Sequence, residues 1–249
     1  MPNVQNKNKG IEWCHVTWNP LPGECLNIDA PCKKYCYMER LYADFPDMRH
    51  PIRINKKEMA WSPQKPMIVF AFSRIEFLHP DMRRDWQEMA IRQMARNPHA
   101  TYVILSKFPA NYANFDWPNN CWLGTTVEGL PHTKNNVSLL LETVSRSYVR
   151  VVSYEPLLAA PTEMWVRPAV SERHGKISWA IVGANSNKGA ERPPYWWADI
   201  IVDTCQKMEI PVFVKSNYHY RKRIKEMPAG WIITDGGLIQ TRKPQMELF

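Results

Sequence analysis

CWLGTTVEGLPHTKNNVSLLLETVSRSYVRVVSYE, residues 121–155, carries a strand, a helix and a second strand in succession. Residues 121–127 are short and mostly apolar, and residues 149–154 repeat that character. Neither run alternates strictly between apolar and polar positions, which is how strands covered on both faces read. Between them, residues 131–145 read as a helix opened by Pro131. The informative residues stand at the strand ends: Thr126 and Glu128 close the first, and Glu155 follows the second. Strand, crossover helix and strand make the unit of a parallel sheet, and polar groups at the carboxyl ends of its strands share one rim.

The same unit recurs along the chain. Residues 11–17, 67–72, 101–105, 177–182 and 211–214 read as further strands. Residues 81–97 read as a helix capped by Asp81 and stopped by Pro98, and residues 194–208 as another. The strand ends are again polar: FAFSRIEF supplies Ser73 and Glu76, VGANSN supplies Asn185 and Ser186, and FVKSN supplies Lys215 and Asn217. Any one of these would more often be a cap or an ion-pair partner than a catalyst. Their recurrence on successive strands predicts an α/β fold, a parallel-stranded TIM-like barrel that is complete or partial. An open doubly wound sheet is the alternative.

WNPLPGECLNIDAPCKKYCYMERLY, directly after the first strand, brings Cys25, Cys32 and Cys36 within twelve residues, with Tyr35 just ahead of the last thiol. Six cysteines in 249 residues, and no apolar leader in MPNVQNKNKG, argue against a disulfide framework. Three thiolates suit an iron–sulfur cluster with one iron open to an exchangeable ligand. Structural zinc, with His15 as a fourth ligand, is the alternative. Cys14, Cys121 and Cys205 lie in apolar stretches and read as packing residues.

An apolar fraction of 45% can fill one large core, so residues 1–249 read as a single barrel domain with a basic extension from about 216 onward. No apolar run approaches the roughly 20 residues of a membrane helix. The expectation is a cytoplasmic protein with no membrane partner. The formal charge of +8 suits a polyanion. In KSNYHYRKRIKEMPAGW, residues 215–231, Arg221, Lys222 and Arg223 follow Tyr218, His219 and Tyr220, the makeup of a nucleic-acid surface or of an ordinary solvated basic helix.

At the cysteine loop the chain resembles the radical SAM enzymes. Their usual gaps are three residues and then two, with an aromatic before the third cysteine; here the gaps are six and three, and Tyr35 matches. Over nearly its whole length it is similar to a phage and bacterial three-cysteine radical SAM family. The matching segments are IEWCHVTWNP, the loop ending CYMERL, VFAFSRIEFLHPDM, TYVILSKFP, NCWLGTTVE, VRVVSYEPLL, ISWAIVGANS and IPVFVKS.

The resemblance implies a 4Fe-4S cluster on Cys25, Cys32 and Cys36, S-adenosylmethionine as cofactor and an external electron donor. It implies Tyr35 or Tyr37 near the adenine, Ser73 and Glu76 at the methionyl amine, and Thr126 and Glu128 at the ribose. Glu155, Asn185 and Lys215 would face cofactor or substrate, with Asn217 beside them, and Arg221, Lys222 and Arg223 would hold phosphates. Related phage enzymes imply isomerisation of an amino-acid-type substituent on modified thymine in phage DNA, inside a bacterial host. A radical enzyme acting on a peptide or metabolite, and a non-catalytic zinc-stabilised nucleic-acid-binding protein, are the alternatives. No catalytic residue is singled out.

Overall fold

The computed structural model describes residues 3–4, 11–27, 30–228, 230–234 and 237–240. Eight strands form one sheet in chain order: β1 (Asn3–Val4), β2 (Val16–Trp18), β3 (Met67–Ala71), β4 (Ala100–Ser106), β5 (Cys121–Thr126), β6 (Arg150–Tyr154), β7 (Trp179–Val182) and β8 (Val212–Val214). β1 is antiparallel to β2, and every later neighbour is parallel. A doubly wound sheet needs a reversal of strand order, and this order has none. The seven parallel strands curl in one sense, giving a partial TIM-like α/β barrel. Its helices are α1 (Tyr37–Asp44), α2 (Lys56–Met59), α3 (Arg84–Ala95), α4 (Asn136–Thr143), α5 (Ser171–His174) and α6 (Tyr195–Lys207), and a hairpin of β9 (Trp231–Thr234) and β10 (Gly237–Gln240) follows.

Period-two alternation divides each strand between two cores. Ile68, Val103, Trp122, Val151, Trp179 and Phe213 point inward and form a buried floor with Trp13 and Trp231. Trp179 meets Trp13 and Trp122 edge-on, each at 5.8 Å between ring centroids. Val69, Ile104, Leu123, Val152, Ala180 and Val212 point outward against Met94, Leu140, Ile201 and Cys205 of the helical layer. With both faces covered, the strands need no polar alternation. Cys14, Cys121 and Cys205 are buried, as read.

Local boundaries differ where tertiary contacts override sequence pattern. β2 starts at Val16 instead of residue 11, because Trp13 drops into the floor and the chain turns there, with the Cys14 N–H on the Ile11 carbonyl at 3.5 Å. α3 begins at Arg84, not at Asp81. Asp85 supplies its first-turn acid and is clasped by Arg83 at 3.1 and 2.6 Å. Residues 131–145 split into a 3₁₀ turn, Pro131–Thr133, and α4. α6 runs between Pro194 and Met208, as read.

The start of the expected C-terminal extension folds back along β8: Glu226 N–H bonds the Val212 carbonyl and Val214 N–H bonds the Ile224 carbonyl, both at 2.9 Å. Residues 229, 235–236 and 241–249 of that extension, residues 28–29 of the cysteine loop, and residues 1–2 and 5–10 of the opening segment lie outside the described residues. β2 and β8 are not paired with each other. Glu12, ahead of β2, instead accepts from the Ser216 backbone N–H, the Ser216 hydroxyl and the Lys225 ammonium, each at 2.7 Å.

Candidate active site

Inward-facing positions change character along the barrel. Above the aromatic floor the strands and their ends present Thr17, Thr126, Ser153, Glu155 and Lys215, which line a cavity of about 620 Å³. Cys25, Cys32, Tyr35, Cys36, Tyr37, Ser73, Glu76, Glu128, Asn185, Ser186 and Asn217 line the same cavity. Arg221, Lys222 and Arg223 do not line it; they are exposed on the segment after β8.

The cysteine loop is tied to the strand ends at several points. A 3₁₀ turn, Pro31–Tyr35, carries Cys32, and α1 starts directly after Cys36. Glu76, beyond β3, donates its backbone N–H to Cys25 Sγ at 3.3 Å. Tyr35 Oη donates to Glu128 Oε2, beyond β5, at 2.5 Å. Asn187, beyond β7, donates from Nδ2 to the Tyr35 carbonyl at 2.9 Å. Below the loop, Gly23 has φ 145°, and a Cβ there would lie 2.6 Å from Ile52 Cα, so only glycine fits.

Glu128 is fully buried. Its Oε2 also sits 2.9 Å from His132 Nε2, while Oε1 faces Lys107 Nζ at 3.4 Å and accepts no hydrogen bond among the described residues. Burial works against the Lys107 ammonium, yet Glu128, Cys32 and Glu76 outweigh it and hold its pKa above the ordinary 10.5. The Glu76 carboxylate accepts from the Ser106 hydroxyl at 2.5 Å, the Lys107 N–H at 2.9 Å and the Leu78 N–H at 3.3 Å. Burial nonetheless raises its pKa. Burial likewise pushes up the Cys25 thiol, and the Cys32 thiol to about 11, so both favour the protonated form unless a cation stabilises the thiolate.

In the same cavity Lys215 pairs with Glu155. A Cβ on Gly183 would sit 2.7 Å from Glu155 Cδ, so the missing side chain makes room for that carboxylate. Asn217 pins the end of β7, accepting from Ala184 N–H at 3.4 Å and donating to its carbonyl at 2.9 Å. At the end of β3, Phe72 takes φ 59° and stacks on Phe77 at 3.7 Å, and Tyr37 Oη donates to the next carbonyl, Ser73, at 2.5 Å.

His15 lies at the opposite end of the barrel. Its Nδ1 accepts from the Ile68 N–H at 2.9 Å and its ring meets Trp231 at 5.7 Å, whereas Cys25 touches Glu76 beyond the far end of β3. This corrects the zinc reading with His15 as fourth ligand. Among the described residues no three His, Cys, Asp or Glu side chains are gathered about a single ion position.

Residues 8–241 match the family model described as Protein of unknown function (DUF5131). The chain belongs to the DUF5131 family. The comparison with curated proteins finds no match. Among solved structures the DUF5131 chain is similar to a mutant spore photoproduct lyase with bound AdoMet and a dinucleoside spore photoproduct. The TM-score is 0.45 at 10% identity, over 78% of this chain and 62% of that one. The chain thus spans less than two thirds of that neighbour's length. Among the described residues of the DUF5131 chain, no helix is long and apolar enough to cross a membrane.

Lys107 and His132, both against Glu128, were not singled out from sequence, and neither were the cavity-lining Thr17 and Ser153. Lys107 ends TYVILSK at the strand-end position that flagged the other polar residues, so its signal was present. His132 had none, since it reaches Glu128 only because residues 131–133 form a 3₁₀ turn. The DUF5131 cavity therefore offers three thiols, a lysine with two carboxylates near it, and a second lysine–carboxylate pair. Such a site can hold a thiolate-ligated metal group beside a polar, charged ligand.

Proposed function

We propose that the protein is a radical SAM enzyme in which Cys25, Cys32 and Cys36 hold a 4Fe-4S cluster and the cavity takes S-adenosylmethionine. One observation carries this reading: three free thiols stand on the wall of a cavity built by the carboxyl ends of parallel barrel strands. The donor set fits the group. Three thiolates leave one iron open, a backbone N–H already reaches Cys25 Sγ, and the Lys107 charge favours the thiolate form of Cys32. When bound, the pair supplies a 5′-deoxyadenosyl radical, with the electron coming from an external donor.

The chain's own residues bind and orient. Thr126 and Glu128 would take the ribose hydroxyls, the latter through the Oε1 that accepts no hydrogen bond among the described residues. Ser73 and Glu76 would meet the methionyl amine, and Tyr35 or Tyr37 would flank the adenine. We assign the substrate as modified thymine in phage DNA, in a bacterial cytoplasm, and the reaction as isomerisation of its amino-acid-type substituent. The Glu155–Lys215 pair, with Asn185 and Asn217, offers opposite charges to an ammonium and a carboxylate. The exposed Lys222 and Arg223 after β8 support a polyanionic partner.

Anaerobic reconstitution tests the reading. Iron, sulfide and 5′-deoxyadenosine formation are expected in the parent, and their loss in Cys25→Ala, Cys32→Ala and Cys36→Ala but not in Cys121→Ala. One equivalent of zinc without iron would overturn it. Mass spectrometry of digested phage DNA then reads the substrate, and turnover confined to peptides or metabolites would replace the DNA assignment.

A further inference from the structure

The first turn of α6 shows solvent two adjacent rings, Tyr195 and Trp196, 51% and 53% exposed. Trp197 beside them packs on the core and meets Trp196 edge-on at 6.0 Å. Asp199 follows Tyr195 by four residues and Trp196 by three, so it shares their helix face. Its Oδ1 accepts from Tyr220 Oη at 2.5 Å and from Arg221 at 2.7 Å. The basic segment after β8 is thereby docked beside the aromatic pair, and the exposed Lys222 and Arg223 come next. α6 follows the loop carrying Asn185, and the basic segment follows Asn217, both of which line the cavity. Tyr218 Oη donates to the Pro194 carbonyl at 3.0 Å, so the segments that leave the cavity lining at Asn185 and Asn217 meet at this turn.

We propose that Tyr195 and Trp196, with Arg221, Lys222 and Arg223, form a platform on which an unpaired nucleobase stacks while the cations take the flanking phosphates. Exposed rings accept any base face, and adjacent fixed cations neutralise the backbone. The exposed side chains of residues 194–198 are Pro194, Tyr195 and Trp196, with no exposed Leu, Ile, Val or Phe beside the rings to enter a lipid layer, which favours nucleic acid over a membrane surface. This inference rests on the reading that the substrate is carried in DNA.

Fluorescence anisotropy of the full chain with labelled oligothymidylate, a matched duplex and anionic phosphatidylglycerol vesicles tests it. Trp196→Ala should weaken oligothymidylate binding about tenfold with an unchanged salt slope, and Trp196→Phe should restore most of it. Lys222→Gln and Arg223→Gln should each flatten the log-log salt slope by about one unit. Equal oligothymidylate affinity in Trp196→Ala and parent would overturn the platform while leaving the DNA reading standing. No binding of either oligonucleotide by the parent would overturn both. Vesicle binding lost in Trp196→Ala, with oligonucleotide binding intact, would make the patch a lipid contact and overturn the platform.

Discussion

The Tyr35 hydroxyl and the Glu128 carboxylate meet at 2.5 Å, a neutral donor on a charged acceptor, at the residue just before Cys36. Hydrogen bonds to charged groups contribute about 1.5–3 kcal/mol. Tyr35→Phe should therefore speed amide exchange across residues 30–36 while leaving the melting temperature of the barrel nearly unchanged. Glu128→Gln keeps an oxygen for Tyr35 but removes the charge opposite Lys107, so it should loosen the loop far less. Equal loosening by both changes would mean that the hydroxyl contact holds the loop only when its acceptor is charged. At Gly183 a substitution is admitted only if the Glu155 side chain moves. A methyl there must displace the Glu155 carboxylate, and overpacking of this kind costs about 1–3 kcal/mol. The loss should be less than additive with Glu155→Ala, since the contact is then already gone. Additive losses in chemical denaturation would show that the clash lies elsewhere.

At the scale of elements, α3 is closed by a residue from the next unit. Asn120 Nδ2 reaches the carbonyls of Met94, Asn97 and Ala100 at 3.1, 3.0 and 2.9 Å. Asn120→Ala should cost about 1–3 kcal/mol, because it strips a donor from half-buried carbonyls at a helix end. Urea denaturation checks this, and a loss within a few tenths of the parent would assign those carbonyls to water. At the end of β3, the left-handed Phe72 costs about 1–2 kcal/mol of backbone energy, while truncating a buried Phe costs about 3–5. Packing wins, so Phe72→Gly should destabilise despite relieving the backbone. Which elements were legible follows from the same contest. The strands from β3 to β8 and helix α6 announce themselves by apolar runs and flanking prolines, which are local. The early break at Trp13 and the late start of α3 depend on a floor built from distant strands and on an Arg83–Asp85 clasp, which no local period reports.

For the whole molecule, convergence of strand-end residues on one cavity was legible because a parallel barrel sends every carboxyl end to the same rim. What stayed hidden was how the chain bridges the flank between β2 and β8, where Glu12 receives Ser216 and Lys225. Burial alone would raise the Glu12 pKa, but hydrogen bonds from Lys225 and Ser216 outweigh it and leave it below the ordinary 4.5. A carboxyl so depressed contributes stability that is complete above 4.5 and is lost as the pH falls through the lowered value. Acid titration followed by limited proteolysis should therefore expose residues 216–226 first, and Glu12→Gln should remove that pH dependence. Cleavage there at the same pH in both proteins would disprove it. Every other boundary between neighbouring parallel strands is a ladder of peptide groups, indifferent to proton and salt concentration. Along this one seam the vessel is buttoned instead of woven, and a change of solvent can part it without unravelling a strand.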